Sequence, residues 1–206
     1  MAFIRSYRPG DRDAVYDICV RTADAGGDSR HLYPDGELVP SVFAGPYVEL
    51  EPDLAFVLDD GEGRPVGYVL GVADTGRFVT AFREKWLPAV GGRYPAPEGA
   101  GERTPSEVMA GLLHDPERMV LAELAAYPAH LHIDLLPAWQ GRGHGRSLIH
   151  TLLDALRAKG VEAVHLSMLT ANTGARAFYD RVGFHEIAVP DSDADDVTYL
   201  GRGTRR

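Results

Sequence analysis

Apolar positions change period along this chain, and the changes divide it into elements. Short runs with strand character lie at 3–7, 54–58, 66–72, 130–136, 163–168, 185–189 and 197–200. The period lengthens to helical spacing at about 13–23, where Ala14, Ile18 and Cys19 share a face that Asp11 is placed to cap. Helical spacing returns at Leu148, Ile149, Leu152, Leu153 and Leu156, with Gly160 closing the run, and again at 175–181. A weaker helical stretch at 37–43 ends near Gly45-Pro46, after a loop at 26–36. The polar, glycine-rich link 59–65 reads as the turn of a hairpin.

Between the hairpin and the strand at 130 the pattern differs. Segments 74–127 read as helices at 77–86 and 106–113, separated by a Pro/Gly-rich linker at 88–105. About 50 residues bury little alone, so this reads as a helical insertion in one domain spanning 1–206. Strand pairs interleaved with helices predict an α/β (α+β) fold built on a mixed sheet.

Composition narrows the class. At 206 residues, 45% hydrophobic and 25% charged, the chain has the make-up of a soluble enzyme. No apolar run approaches 18 residues and the first residues lack a signal-peptide core, so no membrane association and a cytoplasmic location are expected. Cys19 is the single cysteine; with no basic neighbour in sequence it reads as a packed thiol. A net charge of −9 argues against a nucleic-acid partner. Against that acidic background, Arg142 and Arg146 form a local basic feature.

They sit in a turn where Gly141, Gly143 and Gly145 alternate with Arg142, His144 and Arg146, after a strand stopped by Pro137 and before a helix. Glycines leading into a helix N-terminus let backbone N–H groups crowd around an anion. A Walker loop is excluded because no lysine follows the glycines. A dinucleotide fingerprint counted from Gly143 fails because Leu148 occupies its third glycine position. What remains is Gln-x-x-Gly-x-Gly, met by Gln140, Gly143 and Gly145.

The run from Leu135 through Gly145, followed by Asn172-Thr173-Gly174-Ala175-Arg176-Ala177-Phe178-Tyr179 and Gly183-Phe184, resembles the GNAT N-acetyltransferase family. It is also similar to the acetyltransferase-like domain of protein O-GlcNAc hydrolases. The matched core covers roughly 130–187. The resemblance implies a GNAT-like, mostly antiparallel twisted sheet flanked by helices, and acetyl-CoA as acyl donor. It implies that Leu135 and Leu136 hold the pantetheine arm through their backbones. Backbone amides of Gln140, Gly141, Arg142, Gly143, His144, Gly145 and Arg146 would then cradle the pyrophosphate. Asn172, Phe178 and Tyr179 would complete the cofactor site, with Tyr179 near the sulfur. A phenol with a reference pKa of about 10 is a sensible proton donor to a departing thiolate; otherwise Tyr179 is an aromatic anchor beside Phe178.

The expected acceptor is a small-molecule or peptide amine, and a homodimer is compatible with the resemblance. The amine must lose a proton, and no family motif marks the base. His130, His132 and Asp134 alternate on one strand face opposite Leu131, Ile133 and Leu135. Asp134, nearest the acetyl site, is the expected base, with His132 behind it. The same three residues support a metal-dependent hydrolase as an alternative class, although Leu135 stands where a hydrolase motif continues with histidine. No metal is expected. A third class is a module that binds acetyl-CoA without catalysis. Arg83, Lys85, Arg93 and Arg103 offer charge for an acidic acceptor, or simply a solvated surface. The tract Asp191 to Asp196 begins like a calcium loop but lacks glycine at its sixth position and has Arg202 where the closing glutamate belongs, so a solvated acidic loop is expected.

Overall fold

The computed structural model describes residues 1–99, 101–190 and 196–205. Seven strands form one sheet: β1 (Phe3–Ser6), β2 (Ala55–Asp59), β3 (Pro65–Val72), β4 (Ala129–Leu135), β5 (Ala163–Leu169), β6 (His185–Ile187) and β7 (Val197–Gly203), in the order β1-β2-β3-β4-β5-β7-β6. Every neighbouring pair is antiparallel except β4 and β5, which run parallel. This is the mixed, mostly antiparallel sheet expected.

One irregularity positions everything that follows. β3 pairs with β4 along its length, from Val72 opposite His130 to Gly67 opposite Leu135. On the other side β4 pairs with β5 only at Ala129 and His130. Beyond His130 the two parallel strands part, and the end of β4 faces an opening.

The sheet is covered on both faces. Helix α7 (His144–Ala158) buries Leu148, Ile149, Leu152, Leu153 and Leu156 completely against β2, β3 and β4. At roughly 1.5–3 kcal/mol per buried leucine or isoleucine, this stripe is a major part of the core. Gly71 lets the helix approach: a Cβ there would lie 2.6 Å from Leu152 Cδ1. The opposite face carries α1 (Arg12–Val20), with α2 (Leu38–Phe43) and α3 (Gly45–Leu50) beside it. Side chains alternate across a strand, so Asp134, opposite Tyr68, shares the α1 face with His132 and His130.

Several boundaries differ from the sequence expectation for local reasons. Asp11 does not cap α1 through its carboxylate, which instead receives both Arg5 terminal nitrogens and the Arg8 N–H. Ala14 is only half-buried while Val15 joins Ile18 and Cys19 in the core. The helical stretch expected at 37–43 is α2, which ends at Phe43 as expected; Gly45-Pro46 then opens a further helix, α3, because proline in a first turn gives up an N–H that has no helical partner anyway. The helix expected at 77–86 begins as α4 (Thr75–Ala81), passes through a π-helical turn at Phe82–Trp86, and continues as α5 (Leu87–Val90). Pro88 again falls in a first turn and is tolerated. Helix α6 (Pro105–His114) starts from a reciprocal Thr104–Glu107 cap, and α8 (Thr173–Arg181) follows β5. Phe78, Phe82, Met109 and Leu113 of the insertion belong to the same buried cluster as Leu70 and Leu152. Among the described residues no helix is long and apolar enough to cross a membrane. Residues 191–195 of the acidic tract lie outside the described residues.

Candidate active site

Two adjoining cavities, of about 620 and 500 Å³, open where β4 leaves β5, and both are lined by Thr22, Ile133, Asp134, Asn172, Ala175 and Tyr179. The first runs from Leu135 along Gln140, Gly141, Gly143, Gly145 and Arg146 to Phe178. Its floor is the turn into α7. Gly141 and Gly143 have φ of 71° and 84°, the left-handed region that glycine enters without strain. The N–H groups of residues 141–146 have no backbone acceptor among the described residues, as the first turn of a helix leaves them. Gly145 brings that turn against Phe178: a Cβ there would meet two ring carbons at 3.1 Å. Unpaired N–H groups at the start of α7, its dipole and Arg146 are groups that could hold an anion.

The remaining predicted groups take distinct places. Gln140 donates from Nε2 to the Leu135 carbonyl at 2.8 Å, tying the turn to the strand end. Leu136 is buried and its N–H donates to Val66, so it does not line the groove. Arg142 and His144 are turned toward Trp139, at 5.9 Å and 6.0 Å from its ring, and present only backbone to the turn's interior. Asn172 caps α8, its Oδ1 accepting from the Ala175 N–H at 3.0 Å, which leaves its amide donors at the cavity wall.

At the junction of the cavities stand Tyr179 and Asp134. Tyr179 is 9% exposed and wedged between Phe178 and Phe184. Its pKa is raised first by burial and then by the charge of Asp134, so it stays a proton donor at neutral pH. Asp134 Oδ2 accepts the Tyr68 hydroxyl at 2.6 Å. Burial pushes the Asp134 carboxyl up to about 6, against the pull of that hydrogen bond. Cys19, below Tyr68, is buried and its thiol is raised by burial, as a packed thiol should be.

His130 and His132 are not a solvated face. Thr75 Oγ1 donates to the Pro128 carbonyl at 2.9 Å, so it must accept from His130 Nδ1, also at 2.9 Å. His130 Nε2 then accepts the Tyr47 hydroxyl at 2.9 Å, a nearer and stronger acceptor than the Met119 sulfur at 4.0 Å, and Tyr47 accepts from His132 Nε2–H at 3.0 Å. The chain has one direction, and it leaves His132 Nδ1 as its unused lone pair. Burial lowers both imidazoles, His132 to about 4, so each is neutral at pH 7. With both His130 ring nitrogens taken by hydroxyls, the hydrolase-type ligand set is not assembled; among the described residues no group of three His, Cys, Asp or Glu could hold a metal.

Residues 29–184 match the family model described as the acetyltransferase (GNAT) family. The chain belongs to this family. Over 97% of its length it is 31% identical to protein O-GlcNAcase of Mus musculus, of which it spans 22%. The curated relatives it matches along its whole length are thus several times longer. A crystal structure described as that of SsHAT is 64% identical and superposes over 100% of this chain and 99% of that one with a TM-score of 0.94. The structure of YncA from Salmonella typhimurium with its cofactor acetyl-CoA shares the fold at 16% identity and a TM-score of 0.56, covering 100% of this chain and 95% of that one.

Most of the residues singled out from the sequence line the cavity beside the α7 turn, and few of them line the cavity beyond Asp134. The cavity beyond Asp134 is walled by Phe43, Tyr47, Met109, Leu112, Arg118 and Met119, none of which carried a motif. Arg83 and Arg93, the cations singled out in the insertion, are exposed and paired with Glu117 and with Asp35 and Glu37. Tyr68 could have been found from pairing alone, since the hairpin strand sets it opposite Asp134.

Proposed function

We propose that this chain is an acyl-CoA-dependent N-acyltransferase that moves acetyl from acetyl-CoA to an amine by direct attack. The observation that carries the reading is the junction of two cavities at Asp134 and Tyr179, one floored by an anion cradle and the other open to an acceptor. The fit to acetyl-CoA rests on the free N–H groups of 141–146 for the pyrophosphate, and on a β4 edge released from β5 for the pantetheine amides. Leu135, Gln140, Gly141, Gly143, Gly145, Arg146, Asn172 and Phe178 would hold the donor, with backbone from Arg142 and His144, while Leu136, its N–H held by Val66, would only support the strand end.

Bound there, acetyl-CoA supplies a thioester whose carbonyl carbon forms a C–N bond with the amine as its C–S bond breaks. Asp134 takes the proton that the amine must lose, onto a carboxylate oxygen, directly or through one water. A carboxyl with a pKa of about 6 is mostly ionised at neutral pH yet more basic than an ordinary aspartate. Tyr179 gives its hydroxyl proton to the sulfur. His132, with Nδ1 unused, can accept a hydrogen bond from the acceptor amine.

Titration of purified protein with acetyl-CoA tests the donor: the melting temperature should rise, because a ligand specific to the folded state stabilises it. No shift at millimolar acetyl-CoA, with no calorimetric heat, overturns the assignment. A screen of small amines and peptides for free CoA release then tests transfer. Donor binding without turnover of any acceptor would favour a module that binds acetyl-CoA and catalyses nothing.

A further inference from the structure

Arg118 lies in the short turn Pro116–Met119 of the insertion and lines the acceptor cavity with Tyr47, His132 and Tyr199. Its Nη1 donates to the carbonyls of Leu112 and Asp115, each at 2.7 Å, which fixes the guanidinium plane. Among the described residues Nε and Nη2 have no hydrogen-bond partner, and Arg118 has no ion pair. The neighbouring Arg83 and Arg93, by contrast, meet carboxylates on the open surface. Burial lowers the Arg118 pKa, but a guanidinium remains charged at neutral pH. A half-buried cation without a counter-ion is costly, and the unused Nε/Nη2 edge is the fork that a carboxylate fills with two parallel hydrogen bonds.

The position of that fork limits the ligand. Met119, next to Arg118 in the same turn, meets the Tyr47 hydroxyl, which joins His132 and His130, two and four residues along β4 from Asp134. Two strand residues span about 6.6 Å, so a ligand reaching from Asp134 past His132 to Arg118 must bridge about that distance. An α-amino acid, whose amine and carboxylate share one carbon, is too short. The wall of the same cavity offers Phe43, Leu112 and Met119, suited to methylenes.

We infer that the acceptor cavity takes a small amine bearing a carboxylate several bonds from its nitrogen, with the carboxylate on Arg118 Nε and Nη2 and the amine at Asp134. The placement of the amine rests on the acetyltransferase reading; the anion subsite does not.

The test is calorimetric binding of linear ω-amino carboxylic acids of three to six carbons, and of n-alkylamines of matching length, to the protein with and without saturating CoA. At one or two chain lengths the carboxylate should bind about 10- to 100-fold tighter than the matching alkylamine, the range of a charge-assisted bidentate contact. Arg118→Gln should collapse that ratio toward one while acetyl-CoA still raises the variant's melting temperature. Arg118→Lys, which keeps charge but not the fork, should fall between. If Arg118→Gln does not fold, the lysine variant and the loss of the wild-type ratio with added salt carry the test. Equal binding of both series, no binding of either, or a ratio insensitive to Arg118 overturns the inference. CoA release from the same compounds separates the two readings: Arg118-dependent binding without turnover upholds the anion subsite and counts against the transferase, whereas turnover of both series without preference does the reverse.

Discussion

Tyr68 and Asp134 face each other across the β3–β4 pairing, and the phenol donates to the carboxylate at 2.6 Å. The bond favours the ionised carboxylate, while burial of the same group favours the protonated one, and burial wins. The acidic limb of kcat/KM should therefore rise with an apparent pKa near 6. Asp134→Asn should remove this limb and lower the rate about 100-fold or more, the scale of general-base loss. Tyr68→Phe should move the limb upward by about one pH unit, since a hydrogen bond to a charge contributes about 1.5–3 kcal/mol and one unit is about 1.4. A pH–rate profile of the three proteins is the measurement, and an unmoved limb in Asp134→Asn would discard Asp134 as base.

The same shift governs stability. Between pH 4 and pH 6 the folded protein holds a proton on Asp134 that the unfolded chain has released, so unfolding releases a proton. Rising pH then favours unfolding through this window, and the site destabilises the fold by up to about 3 kcal/mol above it. Urea melts at pH 4, 5, 6 and 7 should show Asp134→Asn lacking that decline and more stable than wild type at pH 7. A variant whose pH slope matches the wild type would show that Asp134 is not the group responsible.

Among the described residues the Tyr179 hydroxyl has no hydrogen-bond acceptor, and its neighbours Phe178 and Phe184 pack against its ring. Tyr179→Phe should reduce kcat about 100-fold, a typical general-acid contribution, and leave the thermal stabilisation by acetyl-CoA within error. Equal loss of binding and turnover would instead mark the ring as an anchor of the donor.

How much of this was legible in the sequence follows from where each signal resides. The α7 turn was legible because its chemistry is local: glycines at positive φ, a helix start and a strand before it occupy consecutive residues. The face shared by Asp134 and His132 was legible because strand alternation is rigid. Tyr47 was missed because it lies in a second short helix after the stop at Ala44, and proline in a first helical turn looks the same in sequence as proline after a last one. Arg118 was missed because its role depends on two carbonyls and on cavity walls brought from distant segments, while the equally cationic Arg83 beside it is satisfied by Glu117. Residues acting through sequence-distant packing leave no periodic trace.

The cradle itself can be tested at single atoms. Gly143→Ala places a Cβ on a backbone at φ 84°, a strain of about 1–2 kcal/mol that would redirect the N–H groups of the turn. Gly145→Ala keeps an ordinary helical backbone but sets a Cβ 3.1 Å from Phe178, forcing that ring toward the groove. Both should weaken acetyl-CoA binding about tenfold or more, read by calorimetry, with Gly145→Ala losing little stability without ligand. Wild-type affinity in Gly143→Ala would show that the donor does not use this turn.

A buried hydrogen-bond chain runs from Thr75 to His132. Because Thr75 donates to Pro128, each later donor is determined: His130 through Nδ1, Tyr47 through its hydroxyl, His132 through Nε2. Nitrogen-15 spectra of the imidazoles should thus show His130 as the Nδ1–H tautomer and His132 as the Nε2–H tautomer, both neutral at pH 7. Tyr47→Phe removes one oxygen but strands two partners, leaving His130 Nε2 without a donor and His132 Nε2–H without an acceptor. An unsatisfied buried polar group costs about 1–3 kcal/mol, so the variant should lose about 2–5 kcal/mol in denaturant melts, more than a single exposed hydroxyl could contribute. Its His132 should also change tautomer or become mobile, since nothing then holds Nε2–H. A variant of wild-type stability with both tautomers unchanged would mean that the chain does not run in this direction.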